Sequence, residues 1–186
     1  MTTAATLKDR RIAARHAHDP DLAEAERLKQ RLVRRVPPCL SRDEFLDICR
    51  WKLRDQYGRA ARLLESSSQK RIKRTTEMAL AFKDKEAEFE LSGRVKTLSL
   101  LPGVGLGVAS AILALSFPRK YAPIDSRVWR ALFDEERSVF QLADYGRYLA
   151  RLSEVAAEAR ALDPKGAWSV QLVAHYLARD DDELSA

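Results

Sequence analysis

Apolar positions recur at helical spacing along almost the whole chain. Residues 20–35 carry Leu22, Ala25, Leu28 and Leu32 on one face, with Asp19 at the N-cap and Pro20 at the first helical position. Pro37-Pro38 ends that element, because proline neither continues a helix nor lets its predecessor do so. Ser41-Arg-Asp-Glu44 has the spacing of a capping box and predicts a helix with Phe45, Ile48, Cys49 and Leu53 inward. Two further helical stretches are predicted over 69–83 and 86–100, the second with Leu91, Val95 and Leu98 at i, i+4 and i+7. Residues 107–117 place Val108, Ile112 and Leu115 on one face, while Ala109, Ala111 and Ala114 keep the element thin enough for close packing. Asp125 starts a helix holding Val128, Trp129, Leu132 and Phe133. Ser138 and Gln141 predict a second capping box for a long helix to about Ala161, aligned on Leu142, Tyr145, Leu149, Leu152 and Ala156. Asp163-Pro164 is expected to open the last helix, with Trp168, Leu172 and Tyr176 on a face. Alternating strand patterns and Asn-Gly hairpins are absent from the sequence, so the expected class is all-α.

Composition adds bounds. With 186 residues, 46% hydrophobic and 32% charged, the chain suits one domain of ordinary size that folds around a core. The longest central apolar run, Ala111 to Leu115, is far too short for a bilayer, and the N-terminus turns basic without an apolar stretch. No membrane association is expected, and the cytoplasm is the expected compartment. The net charge is +6 with a pI near 9.5, and it is uneven. Residues 1–80 hold 19 Lys and Arg against 11 Asp and Glu; residues 81–186 hold 14 against 16. This asymmetry suggests a basic helical N-terminal arm over 1–36, a helical domain over 37–180 and an acidic tail over 181–186. A basic surplus on one part of a chain suits a phosphate backbone. Cys39 and Cys49 form no CxxC pair and read as buried thiols; His16, His18 and His175 are scattered. No catalytic metal cofactor is expected.

Candidate chemistry concentrates in Leu101-Pro-Gly-Val-Gly-Leu-Gly-Val-Ala109, followed by Pro123-Ile-Asp-Ser-Arg-Val-Trp129. Gly103, Gly105 and Gly107 alternate between two apolar-periodic helices, in a hairpin segment spanning 90–117. Glycine permits positive φ and lets another backbone approach closely. A helix starting near Gly107 also presents unpaired N–H groups and the positive end of its dipole, which suits a phosphate. The same string also serves as a tight helix–helix turn that binds nothing. Asp125 has two readings as well, as N-cap of the helix 126–133 and as a carboxylate beside a reacting sugar. Trp51, Tyr57, Tyr121 and Trp129 are aromatic candidates for holding a base, Lys52 is a candidate beside Trp51, and Arg127 and Arg130 flank Asp125. Each of these also fits ordinary packing or surface pairing.

Leu-Pro-Gly-Val-Gly at 101–105, an Ala-rich apolar helix, and Pro-Ile-Asp-Ser-Arg-Val at 123–128 together resemble the helix-hairpin-helix (HhH-GPD) DNA glycosylase superfamily, in its endonuclease III-like form. The specific likeness covers residues 98–132. It implies an all-helical, two-lobed fold with a substrate cleft between the lobes, DNA as partner, and a monomer. It implies that Pro102, Gly103, Val104, Gly105, Leu106, Gly107 and Val108 anchor the strand, with Arg127 and Arg130 beside them. It also implies that Asp125 is the catalytic aspartate, and that main-chain carbonyls of Ser99, Leu101 and Val104 hold a monovalent cation. The base pocket would draw on Trp51, Lys52 and Tyr121. Two departures matter: Gly107 stands where bifunctional members carry a lysine nucleophile, and there is no iron–sulfur cysteine cluster. The resemblance thus implies a monofunctional, hydrolytic DNA N-glycosylase of base-excision type, with no required cofactor. The alternative is a non-catalytic helix-hairpin-helix DNA-binding protein.

Overall fold

A computed structural model describes residues 20–33 and 36–184. Among these residues every regular element is helical, and the all-α class predicted from periodicity is the observed one. The elements are α1 (Pro20–Val33), α2 (Arg42–Leu53), α3 (Tyr57–Glu65), α4 (Gln69–Ala81), α5 (Ala87–Leu98), α6 (Leu106–Ser116), α7 (Ser126–Phe133), α8 (Leu142–Leu162) and α9 (Val170–Leu184), with a 3-10 turn at Arg54–Gln56. The chain divides into two compact units, Glu24–Ser116, and Met1–Ala23 with Phe117–Ala186. The N-cap expected at Asp19 and the rest of the basic arm before Pro20 lie outside the described residues, as do Arg34 and Arg35. At the other end Asp181–Leu184 belong to α9, and the last two positions of the expected acidic tail are also outside. No described helix is long and apolar enough to cross a membrane.

The Glu24–Ser116 unit is built around α6. Every residue from Val108 to Leu115 is buried, and the one polar member, Ser110, turns its hydroxyl back to the Gly107 carbonyl at 2.8 Å. A helix apolar on all sides has no face for water and becomes a core element. α2 packs on it through Phe45, Ile48 and Cys49, all fully buried, and the predicted capping box fixes its start. There the Glu44 N–H donates to Ser41 Oγ at 3.2 Å and the Ser41 N–H donates to Glu44 Oε2 at 2.7 Å. Ala25, Leu28 and Leu32 of α1 are buried, as their spacing predicts. Helix α3 is an addition to the predicted elements: Tyr57, Ala60, Ala61 and Leu64 fall at i, i+3, i+4 and i+7, but the stripe is short and only Leu64 is fully buried. α4 and α5 end and begin inside their predicted limits. Phe82 leaves the helix in an extended conformation and lays its ring on Gly93, where a Cβ would meet it at 2.4 Å. Buried Arg94 ties the pair, bonding Glu90 at 2.8 Å and donating to the Ala79 and Leu80 carbonyls at the end of α4.

In the second unit α7, α8 and α9 pack against one another. Two predicted starts are corrected. The box at Ser138–Gln141 does not form: α8 begins at Leu142 with Gln141 as N-cap, and the Asp144 carboxylate accepts the Gln141 N–H at 2.8 Å. Phe140 stays out of the helix and packs on Trp129, with ring centroids 5.4 Å apart. Asp163-Pro164 does not open the last helix either. Asp163 is the C-cap of α8, its carboxylate accepts the Trp168 indole N–H at 3.2 Å, and α9 starts at Val170. The inward face of α9 is therefore Val170, Val173, Ala174, Tyr176 and Leu177, with Leu172 half-buried.

Candidate functional site

The connection from α5 to α6 is a tight turn over Leu101–Val104, closed by the Val104 N–H donating to the Leu101 carbonyl at 3.1 Å. Pro102 and Gly103 occupy its two central positions, and Gly103 has φ +79°. This is the signature of a type II turn, which needs a positive φ at its third residue. A Cβ there would also stand 3.0 Å from Leu64 and 3.1 Å from Leu63. The other two glycines have no such cause. Neither Gly105 nor Gly107 has a positive φ, a Cβ on Gly105 would meet nothing within 4 Å, and one on Gly107 would meet only Lys52 Cε at 3.8 Å. The result is main chain without side-chain cover at the start of α6, exposed at Gly105 and half-buried at Gly107. The N–H groups of Leu106, Gly107 and Val108 lead this helix and have no acceptor within it. The side chains of Leu101, Val104 and Val108 turn into the core, so any contact these residues make outward is through the backbone. Among the three proposed cation-binding carbonyls, that of Leu101 already accepts the turn hydrogen bond.

Helix α2 carries two expected pocket residues and brings one of them, Lys52, alongside. Lys52 is half-buried with its stem over Gly107. Trp51 is half-buried, and its indole Nε1 is buried without a hydrogen-bond partner. Tyr57 is committed elsewhere, its hydroxyl donating to Glu65 at 2.7 Å and its ring lying under the Arg50 guanidinium at 5.2 Å.

Asp125 lies in the second unit. It is the N-cap of α7: its Oδ1 accepts the Arg127 N–H at 2.9 Å. The Arg127 side chain returns to the same carboxylate, Nε at 3.1 Å from Oδ1 and Nη2 at 3.2 Å from Oδ2. Arg127, expected on phosphates, is thus first the guanidinium partner of Asp125, and Arg130 pairs with Glu136 at 2.8 Å. The Asp125 side chain keeps about a quarter of its surface exposed (24%). The segment that delivers it is pinned from α8. The Tyr145 hydroxyl donates to the Ala122 carbonyl and the Tyr148 hydroxyl to the Pro123 carbonyl, each at 2.9 Å. Burial pushes both phenols well above the ordinary tyrosine range, and the nearby Asp125 charge raises Tyr148 further. Tyr145 belongs to the core stripe that the spacing predicts, whereas Tyr148 carries no sequence signal, because a hydroxyl 25 residues from its acceptor leaves none locally.

Two aromatic candidates are corrected by burial. Tyr121 is 1% exposed, edge-on to Phe117, and presents no open ring face to a base. Trp129 is fully buried between Phe133 and Phe140, with the Arg137 and Arg147 guanidinium groups at 5.1 and 5.4 Å from its ring. Among the described residues no three His, Cys, Asp or Glu side chains gather as a metal site.

Comparison with protein-family models, with curated proteins and with solved structures finds no match for this chain.

Proposed function

We propose that the protein is a monofunctional DNA N-glycosylase that hydrolyses the base–sugar bond of a damaged or modified base, in the manner of base-excision repair. One observation carries this most directly: Gly105 and Gly107 leave the main chain bare at the start of α6, although neither is required by the turn or by packing. A bare helix start is a good partner for a phosphate and a poor investment for stability. In this role the hairpin holds the backbone and the target base leaves the stack, at a cost of a few kcal/mol. Asp125 then stabilises the oxocarbenium-like sugar or orients the water that attacks it. Arg127 and the Tyr148-held Pro123 carbonyl keep that carboxylate in place. No resident cofactor is required; a monovalent cation on the hairpin carbonyls would brace the turn.

The test uses duplexes bearing a panel of damaged, mismatched and modified bases, with abasic sites revealed by alkali. Asn is isosteric and still caps a helix. Asp125→Asn is therefore expected to fold normally and to lose excision by roughly two orders of magnitude or more. Excision that persists unchanged in this variant would sink the mechanism. A second role, DNA binding without turnover, is favoured by the way Arg127 already occupies both Asp125 oxygens. Salt-sensitive binding with no excision on any duplex would select it.

A further inference from the structure

One region of the Glu24–Ser116 unit carries more positive charge than its own fold rewards. From Arg54 to Arg74 there are seven Lys and Arg against two Asp and Glu. One of those acids, Glu65, is engaged by the Tyr57 hydroxyl, and its main-chain oxygen accepts Arg42 at 3.0 Å. On α4, Lys70, Arg71, Lys73 and Arg74 are all exposed, opposite the buried face of Ile72, Thr76 and Ala79. Lys70 repels Lys73 and Arg74, and Arg71 repels Arg74, at the i, i+3 and i, i+4 spacings where side chains are neighbours. The first turn of α4 has no acid, and it is the end of a helix where the dipole also disfavours cations. Glu77, the one acid on this helix, stands at i+4 from Lys73 and i+3 from Arg74, so like-charge pairs still outnumber opposite ones, a local inconsistency of the kind that marks function.

Its position says what covers it. The Arg71 guanidinium donates to the Leu100 carbonyl at 2.7 Å, one residue before the hairpin turn. Leu63 and Leu64 of α3 press on Gly103 from the other side. The start of α4 and the end of α3, where Arg62 is exposed, therefore flank the hairpin directly, and Arg59 is exposed one turn earlier on α3. Exposed Leu63, Met78 and Leu100 lie beside these cations, and it is the continuity of the charge with the bare main chain of the hairpin that selects a nucleic-acid backbone over a membrane surface. We infer that Lys70, Arg71, Lys73 and Arg74 of α4, with Arg59 and Arg62 of α3, form a second phosphate-tracking surface continuous with the hairpin, and that its occupant is the backbone of duplex DNA beyond the nucleotides the hairpin holds. This rests on the DNA-binding role proposed above. The surface reads charge alone, so it lengthens the footprint without adding sequence preference.

The test compares Lys70→Glu/Arg74→Glu with wild type and with Lys83→Glu/Lys85→Glu, the same charge change in the exposed α4–α5 loop. Binding to a fluorescently labelled 20-base-pair duplex is followed by anisotropy from 50 to 200 mM salt, and each protein is melted. The α4 variant is expected to bind at least about tenfold more weakly, with a log–log salt slope shallower by about two. The loop variant should change far less. Because the α4 substitutions make the 70–73 and 71–74 pairs attractive while 70–74 stays like-charged and 74–77 becomes so, the melting temperature should hold while affinity falls, a combination that damage to the fold cannot produce. An unchanged slope, or an equal loss in the loop variant, overturns the inference and leaves the hairpin role standing. Wild-type protein that does not bind DNA at all overturns both. Wild-type binding to phosphatidylserine vesicles that the α4 variant loses, with its DNA binding intact, overturns the choice of DNA.

Discussion

Gly103 and Gly105 differ by two positions and by almost everything that matters physically. Gly103 turns the chain at φ +79° with two leucines within 3.1 Å of its missing Cβ, whereas Gly105 faces open space in an ordinary conformation. Gly103→Ala should therefore cost about 1–3 kcal/mol, read as a lower urea midpoint. Gly105→Ala should leave the midpoint unchanged within error. A bulky residue at 105 should instead weaken DNA binding on every sequence alike while stability holds; affinity lost for one sequence only would contradict backbone anchoring. The three glycines were legible in the sequence as a group. The positive φ of the Pro102-Gly103 turn, together with the tertiary placement of Leu63 and Leu64 some forty residues earlier, separates the one that folding demands from the two it does not.

At the scale of elements, caps and stripes were readable and their partners were not. The Ser41–Glu44 box and the Asp125 cap stand where their sequence signals lie, because each is closed by atoms three residues apart or fewer. The Ser138 signal was misleading because Phe140 has a better use against the Trp129 ring than inside α8. The segment leading into α7 depends on α8 through the Tyr145 and Tyr148 hydroxyls. Both phenols have raised pKa values in the folded state, so their stabilisation is complete below the unfolded value near 10 and is lost as pH climbs toward the folded values. Urea midpoints should accordingly fall steeply above about pH 10. In Tyr145→Phe/Tyr148→Phe the loss at pH 7 should be about 1 kcal/mol per hydrogen bond, and the alkaline fall should flatten. A double variant that keeps the wild-type slope above that pH would show that other groups govern it.

Across the whole molecule, charge and burial divide the labour. The Glu24–Ser116 unit has 19 Lys and Arg against 12 Asp and Glu, while residues 117–186 have 10 against 12. The basic half thus carries the hairpin and its flanking cations, and the other carries Asp125. Both cysteines are buried, and burial pushes the Cys49 thiol up to about 12, with the Arg50 charge opposing. Thiolate is the reactive form. Neither cysteine should therefore be alkylated in the native protein at pH 8, and both should react once urea unfolds it; rapid native labelling would mean the α2 core opens. By itself the sequence determined the helical class, the core stripes, the site of the hairpin and the cap at Asp125. Each depends on residues within about one helical turn, where spacing alone fixes who meets whom. The tertiary structure alone decided that Lys52 lies over Gly107, that Tyr121 and Trp129 are core, that Arg127 attends Asp125, and that Arg71 of α4 bonds the Leu100 carbonyl beside the hairpin. Those outcomes belong to side chains brought together by packing, or to a choice between packing and exposure, and neither is written in a local pattern.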